Sequence, residues 1–230
     1  CGSIRVANFL QYVNDNKIKL NKNRYDICLI SESIYGKKSY LHTNSVVEGF
    51  ALVAEYTIKF SKKHNTRFTF PNRSLKNHDL YQEEIDFYKK YLDKSDFNYL
   101  IQNSNERNFF SSYRAIFESK VAVGTQTTLL KDKIGVGEKI LSCNLTNLNI
   151  GKGTYDFPLE GICTINNCSY DDFENRLLKI LNISNEDYFK QINKDKSYIM
   201  EFDDNLSAVK KIRSKIDFFL EESRKLNFNI

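Results

Sequence analysis

A turn rich in hydroxyl groups lies near the middle of the chain, in the stretch KVAVGTQTTLLKD at residues 120–132. The glycine at its start has no Cβ, so the backbone can turn sharply there and a ligand can approach closely. The threonines stand at a predicted helix start, where free N–H groups and the positive end of the helix dipole attract anions. A helix cap explains one of these threonines well and three poorly, so both a phosphate site and an ordinary turn stay open. The candidate phosphate-binding residues are Gly124, Thr125, Gln126, Thr127 and Thr128.

A carboxylate follows this turn at a helical spacing. Asp132 comes four residues after Thr128, one helical turn on and on the same face. A carboxylate at that point is placed to accept hydrogen bonds from a ribose diol. Its position between Lys131 and Lys133 is also typical of a solvated surface charge, and spacing alone favours this second interpretation.

Polar residues also follow two apolar, strand-like segments. Ser31, Glu32 and Ser33 come at the end of the run DICLIS, and Arg73 comes soon after RFTF. Open parallel sheets bind ligands beyond the carboxyl ends of their strands, so hydroxyls, a carboxylate and a guanidinium at these points suit a ligand site. Ser33 as the cap of a turn and Arg73 as an exposed cation are equally good interpretations.

Several motifs of known chemistry do not occur in this sequence. It contains no GxxxxGK[S/T] loop, no GxGxxG fingerprint and no GxSxG elbow. The three histidines, His42, His64 and His78, are scattered near predicted helix ends, so we expect no metal site and no cofactor. His42, close to the loop after the first strand, is the one histidine of functional interest. The sequence assigns no catalytic residue.

Composition excludes some classes of partner. The 230 residues carry a net charge of +5, with 34 basic and 29 acidic residues interspersed, which indicates a solvated surface and no nucleic-acid site. No run of 18 apolar residues occurs, so no membrane-spanning helix is expected. The five cysteines lack CxxC spacing, which favours reduced thiols in a reducing compartment. The chain starts at Cys1 without an initiator Met, so we expect a piece of a longer polypeptide or a tag remnant at its start.

Apolar, strand-like runs alternate with amphipathic helical segments along the chain. Strands are predicted at residues 26–31, 67–70, 98–102, 120–123, 138–143 and 161–165. Helices are predicted at residues 5–15, 43–63, 79–92, 108–118, 127–134, 170–182 and 204–225. Strands that are apolar throughout and separated by helices are typical of a parallel sheet covered on both faces. We therefore predict an α/β fold, a Rossmann-like doubly wound parallel sheet of about six strands, in a single domain.

Residues 109–165 resemble a known family. Their strand, the run GTQTTLL, the acidic residue four positions later and the following GVGEKIL are similar to the nucleotide-sugar half of GT-B glycosyltransferases. More narrowly, SSYRAIFESKVAVGTQTTLLKDKIGVGEKILSCNLT and YDFPLEGIC resemble bacterial transferases of O-antigen or capsule biosynthesis. The rest of the chain is similar only in its order of elements.

The resemblance implies that this chain is one of the two Rossmann-like domains of such an enzyme. The active site would lie in the cleft between the two domains. The last helix, at about 204–225, would cross toward an N-terminal domain that we expect to be missing here. Gly124, Thr127 and Thr128 would hold the donor phosphate without a metal, and Asp132 would replace the usual ribose-binding glutamate. The donor would be a nucleotide sugar. A CMP-linked acidic sugar is attractive because hydroxyls suit a single phosphate, and UDP, GDP and dTDP sugars stay open.

The implied function is donor binding in a glycosyltransferase of bacterial surface polysaccharide biosynthesis, for lipopolysaccharide or capsule, with a glycan or glycolipid acceptor. This chain alone is expected to be inactive, and the expected location is the cytoplasm. If the full-length enzyme is peripherally bound, it would act at the inner face of the membrane. A sugar-nucleotide epimerase of GT-B-like fold has the same nucleotide site, and a non-catalytic α/β nucleotide-binding module is a further alternative.

Overall fold

Six parallel strands form one sheet in the computed structural model, which describes residues 3–31, 44–105, 110–125, 127–145, 161–199 and 208–227. The strands are β1 (Tyr25–Leu29), β2 (Phe68–Pro71), β3 (Ser104–Asn105), β4 (Ser119–Gly124), β5 (Ile140–Cys143) and β6 (Thr164–Ile165). Their order across the sheet is β3-β2-β1-β4-β5-β6, and every neighbouring pair is parallel. This order reverses direction between β1 and β4, as in the doubly wound Rossmann arrangement. The predicted fold class is therefore confirmed.

Helices cover both faces of the sheet. Those within the described residues are α1 (Ile4–Asp15), α2 (Asn44–His64), α3 (Asp79–Tyr91), α4 (Lys94–Gln102), α5 (Ser111–Phe117), α6 (Thr128–Gly135), α7 (Tyr170–Asn182), α8 (Asn185–Ile199) and α9 (Ala208–Asn227). Against the central strand β4, α2 and α7 pack together as one group, and α5 and α6 pack together as the other. Among the helices of the described residues, none combines the length and the apolar character needed to cross a membrane.

The two central strands form because their side chains are apolar on both faces. Residues 27–29 of β1 and 121–123 of β4 are all buried, and Ile27 lies beside Val121 in the parallel register. Such continuous burial is typical of strands covered on both sides by helices. Burial also raises the pKa of the Cys28 thiol to about 12, so this cysteine is a protonated core residue.

An ion cluster closes the amino end of the sheet. The Asp26 carboxylate of β1 accepts hydrogen bonds from Arg67 Nε at 3.1 Å and Arg67 Nη2 at 3.0 Å, and Lys120 Nζ of β4 lies 2.8 Å away. The Arg67 guanidinium, assisted by Lys120, holds the pKa of Asp26 well below its usual range. The cluster joins β1 to both of its neighbours at the end of the sheet opposite the expected ligand edge.

Aromatic rings dock α1 onto α5. The Phe9 ring stacks on Tyr113 and Phe117, with centroid distances of 5.5 Å and 5.4 Å. Ser3 caps α1, because its Oγ accepts a hydrogen bond from the Val6 N–H at 3.3 Å. The predicted amphipathic helix at residues 5–15 is thus fixed to the domain through its apolar face.

Two helices differ from the sequence prediction. The strand predicted at residues 98–102 is wrong, because these residues belong to α4. Asp93 caps that helix by accepting a hydrogen bond from the Asp96 N–H at 2.8 Å, and β3 begins two residues after the helix ends. The other helix that differs is α8, which was not predicted, because its buried Tyr188 and Ile192 lie in a mostly polar segment. Short apolar runs fit a strand or a helix equally well, so periodicity did not separate them.

Candidate functional site

The strand order places a topological switch point at the carboxyl ends of β1 and β4. Connections run in opposite directions from these two neighbouring strands, and ligands of open α/β sheets bind where this happens. The next residues along the chain are polar and buried: Ser31 lies beyond β1, Asn72 follows β2, and Thr125 follows β4. Three adjacent strands therefore present polar groups at one edge of the sheet.

The turn after β4 is anchored from the neighbouring strand. Gly124 is the last residue of β4, lies beside Ser142 of β5 and is buried. Among the described glycines, positive φ angles occur at Gly137 and Gly161, so Gly124 does not adopt the left-handed conformation, and its role in a ligand turn stays a prediction. Ser142 Oγ instead donates a hydrogen bond to the Thr125 carbonyl at 2.8 Å and holds the chain as it leaves the strand.

The threonines of this turn have different roles. Thr127 is the N-cap of α6, because its Oγ1 accepts a hydrogen bond from the Leu129 N–H at 3.3 Å. Thr125 is buried, whereas Thr128, the first residue of α6, is exposed. Gln126 lies outside the described residues. Thr128 is thus the exposed threonine at the start of α6, and the phosphate role of the turn stays a prediction.

Asp132 is a buried carboxylate with a protein partner. Its side chain is 2% exposed, and its Oδ2 accepts a hydrogen bond from the Tyr113 hydroxyl at 2.6 Å. Burial raises the pKa of Asp132, and the Tyr113 bond opposes that rise. The alternative of a solvated charge is wrong. The ribose role stays a prediction, and the structure gives this carboxylate the additional role of joining α6 to α5.

Lys133 is buried beside it and also joins elements. Its Nζ donates hydrogen bonds to the Ile116 carbonyl, to the Ser119 carbonyl at 2.9 Å and to Glu138 Oε2 at 2.9 Å. A cation at the carboxyl end of α5 is favourable for the helix dipole. Burial nevertheless lowers the pKa of this ammonium group. Asp132 and Lys133 together fix the orientation of α6, and with it the turn that begins the helix.

A buried glutamate ties together the chain segments after β1 and β2. Glu84 of α3 is 1% exposed, and its two carboxylate oxygens each accept a hydrogen bond from the Arg73 N–H at 3.1 Å. The Ser31 side chain also bonds this carboxylate and lies 3.3 Å from the Tyr88 hydroxyl. Burial raises the pKa of Glu84 against these hydrogen bonds. The Arg73 side chain is exposed at this edge, while Glu32 and Ser33 lie outside the described residues.

Sequence reasoning missed Glu84 and Asn72. Glu84 shares the buried face of α3 with Tyr88, four residues on, and this spacing was the available signal. Asn72 is 1% exposed, and within the described residues neither its amide nitrogen nor its amide oxygen has a hydrogen-bond partner. Buried amides are nearly always bonded, so an unbonded one at a ligand edge is a binding candidate.

The described histidines have structural partners. His64 Nε2 lies 2.6 Å from Glu174 Oε1, which also pairs with Lys63 at 2.8 Å and so joins α2 to α7. His78 caps α3 by accepting the Leu80 N–H on Nδ1 at 3.2 Å. His42 lies outside the described residues. In the part of the chain that the structure describes, no three His, Cys, Asp or Glu residues form a metal-binding group.

The strand order and the polar carboxyl edge define a doubly wound α/β domain of Rossmann type. A family model described as "putative O-antigen biosynthesis protein" matches residues 6–216. The chain belongs to this family. No curated protein matches it.

One solved structure is similar over most of the chain. It is a UDP-forming α,α-trehalose-phosphate synthase from Burkholderia xenovorans, with a TM-score of 0.48 and 10% sequence identity. The alignment covers 85% of this chain and 46% of the synthase, so the chain spans about half the length of that protein.

Proposed function

We propose that this domain binds a nucleotide-sugar donor at the carboxyl edge of its sheet, for glycosyl transfer in O-antigen biosynthesis. The observation that carries the proposal is the switch point between β1 and β4, where buried polar residues follow three adjacent strands. Membership of the O-antigen biosynthesis family supplies the biological context. The resemblance of GTQTTLL and GVGEKIL to the nucleotide-sugar half of GT-B transferases supplies the chemistry.

In this proposal the start of α6 binds the donor phosphate. The exposed Thr128, the first residue of the helix, supplies the donor groups, because the Leu129 and Leu130 N–H groups already bond to Thr127. The positive end of the helix dipole favours the negative charge. The exposed Arg73 guanidinium at the same edge is suited to neutralising a second phosphate oxygen. The rigid attachment of α6 through Asp132 and Lys133 would keep these donors in place before the ligand arrives.

The proposal also covers the donor sugar and the source of the catalytic groups. A CMP-linked acidic sugar is the favoured donor, because a single phosphate matches one helix terminus with its hydroxyl. Acceptor binding, the general base and turnover would come from a second domain, in a cytoplasmic enzyme of lipopolysaccharide or capsule biosynthesis. Product analysis with an acceptor would separate transfer from epimerisation of the donor sugar.

The test is calorimetric titration of the chain with nucleotides and nucleotide sugars. Thr128→Ala should weaken binding about tenfold to a hundredfold, because a hydrogen bond to a charged group is worth about 1.5–3 kcal/mol. Ser169→Ala is a matched control, since Ser169 caps α7 at the same edge of the sheet but two strands away from the switch point. Absence of binding across the whole panel, or equal losses in the two variants, would contradict the proposed site.

A further inference from the structure

A cavity of about 530 Å³ lies between α1, α5 and the segment at residues 16–24 that joins α1 to β1. Its volume is in the range of pockets that bind small molecules. The aromatic side chains that line it are Phe9, Tyr12, Tyr25 and Phe110. Among the described residues of its lining, none belongs to the proposed donor site, so the cavity is a separate feature of the domain.

The fold fixes the wall formed by the end of α1. The Ile18 N–H donates a hydrogen bond to the Val13 carbonyl at 2.9 Å, and the Lys17 N–H donates one to the Asn14 carbonyl at 3.0 Å. These two bonds, with Lys17 in the left-handed conformation, form a Schellman motif. Val13 and Ile18 both line the cavity, so this wall is in place before any ligand binds.

Two guanidinium groups are held at the cavity by one carboxylate. The side chain of Glu118, at the carboxyl end of α5, is 2% exposed. Its Oε2 accepts a hydrogen bond from Arg24 Nη1 at 3.3 Å, and its Oε1 accepts one from Arg114 Nε at 3.1 Å. A guanidinium group has five N–H donors, and this carboxylate takes one from each arginine. Both arginines are thus positioned without using up their donors.

The charge of the cavity is positive. Glu118 is the one acidic residue among the described residues that line it, so the two arginines leave one positive charge in excess. The side chains of Arg24 and Arg114 are 49% and 52% exposed, so solvent reaches their charged groups. Aromatic rings beside accessible guanidinium groups favour a ligand that is both cyclic and anionic.

We propose that this cavity binds a small aromatic carboxylate. The ring of the ligand would lie among the aromatic side chains, where the Phe110 ring is 5.3 Å from that of Tyr12 and 5.5 Å from that of Phe9, between centroids. Its carboxylate would pair with Arg24 and Arg114, because the planar guanidinium fork matches a carboxylate. One negative charge neutralises the cavity, whereas a phosphate monoester would bring about −1.5 to −2 charges.

Titration of the chain with benzoate, followed by NMR, tests the proposal. Benzamide is the neutral analogue of the same shape. Benzoate should bind in the millimolar range that is typical of so small a ligand, and benzamide about tenfold more weakly. The amide signals of residues 16–24 and of α5 should move during the titration, and those at the start of α6 should not.

Arg114→Gln should abolish the preference for benzoate over benzamide, because the excess positive charge is then gone. Its affinity for benzamide should stay unchanged, which verifies that the cavity is intact. Arg114→Lys keeps the charge and should keep most of the preference. Arg176→Gln is the matched control, since it makes the same change of charge in α7, on the opposite face of the sheet.

Several results would overturn the proposal. One is equal affinity of the wild type for benzoate and benzamide, or binding of neither. Another is the same loss of preference in Arg176→Gln as in Arg114→Gln. Signals that move only at the start of α6 would place benzoate at the proposed donor site. Tighter binding of phenyl phosphate than of benzoate in the cavity would assign it to a phosphate ligand.

Discussion

Buried polar side chains determine how the carboxyl edge of the sheet is built. Asp132 accepts a hydrogen bond from Tyr113, and Glu84 holds the chain after β2, so both are committed to protein partners. Asn72 differs, because within the described residues its side-chain amide is unbonded. A buried amide without a bond of its own is rare, and either a ligand or an ordered water would supply one.

Replacing Asn72 separates stability from binding. Asn72→Leu removes a buried amide without breaking a hydrogen bond, so the free energy of unfolding should rise by about 1 kcal/mol. If the amide contacts the donor, nucleotide affinity should fall at the same time. Urea unfolding and calorimetry measure the two quantities on the same protein.

Asn105→Leu is the comparison variant. The Asn105 amide donates a hydrogen bond to Thr69 Oγ1, so its loss should destabilise the fold. A similar destabilisation in Asn72→Leu would show that the Asn72 amide has a structural partner, such as an ordered water.

The acid sensitivity of the fold should depend on Asp26. Its pKa is lowered from the usual 3.8 by Arg67 and Lys120, so its contribution to stability is complete well above pH 3.8 and is lost progressively as the pH falls below that value. Asp26→Asn should therefore lose about 1–2 kcal/mol at pH 7, at the lower end because both cationic partners are partly exposed. The difference from wild type should shrink in acid.

Urea unfolding at several pH values measures this difference. Glu186→Gln serves as the control, because the ion pair of Glu186 with Lys190 is largely exposed and should contribute little at any pH. A difference between wild type and Asp26→Asn that stays constant from pH 7 to strongly acidic solution would refute the role of the Asp26 charge.

At the scale of elements, α6 is the part whose position matters most for the site. It is short, yet it is fixed to α5 through Asp132 and Lys133 and is covered by α8. Just after α6, Gly137 adopts a φ of +83°, and a Cβ there would lie 2.8 Å from Phe189 Cε2 of α8. Backbone conformation and close packing therefore both favour glycine at this position.

Gly137→Ala should destabilise the domain by about 1–3 kcal/mol through backbone strain and the clash with Phe189. Gly137→Ala should destabilise the Phe189→Ala variant less than it destabilises the wild type, because the clash is then absent and only the backbone strain remains. Thermal and urea unfolding of the four proteins measure the coupling. Strict additivity would show that α8 does not pack on this turn.

At the scale of the whole molecule, the sequence was sufficient for the architecture. The runs ICLI at residues 27–30 and VAV at residues 121–123 are apolar on every side chain, so burial on both faces and parallel pairing followed from composition. The run NYLIQ was assigned wrongly, because the deciding feature was the Asp93 cap, which local hydrophobicity does not contain.

The site was less predictable because its chemistry depends on tertiary partners. The spacing of Asp132 from Thr128 placed both on one helix, but the burial of Asp132 comes from Tyr113 on a different helix. Glu84 is separated from Ser31 by more than fifty residues, and no local pattern brings them together. The positions of these residues along the chain predicted which edge of the sheet is polar. They did not predict which of its side chains are hydrogen-bonded to other parts of the protein.

The borders of the sheet have a consequence for how the protein associates. The outermost strands, β3 and β6, have two residues each. Strands this short offer a passing chain very few unpaired N–H and C=O groups, which limits growth of the sheet from one molecule into the next. The domain is thereby protected from the β-type aggregation that longer borders would permit.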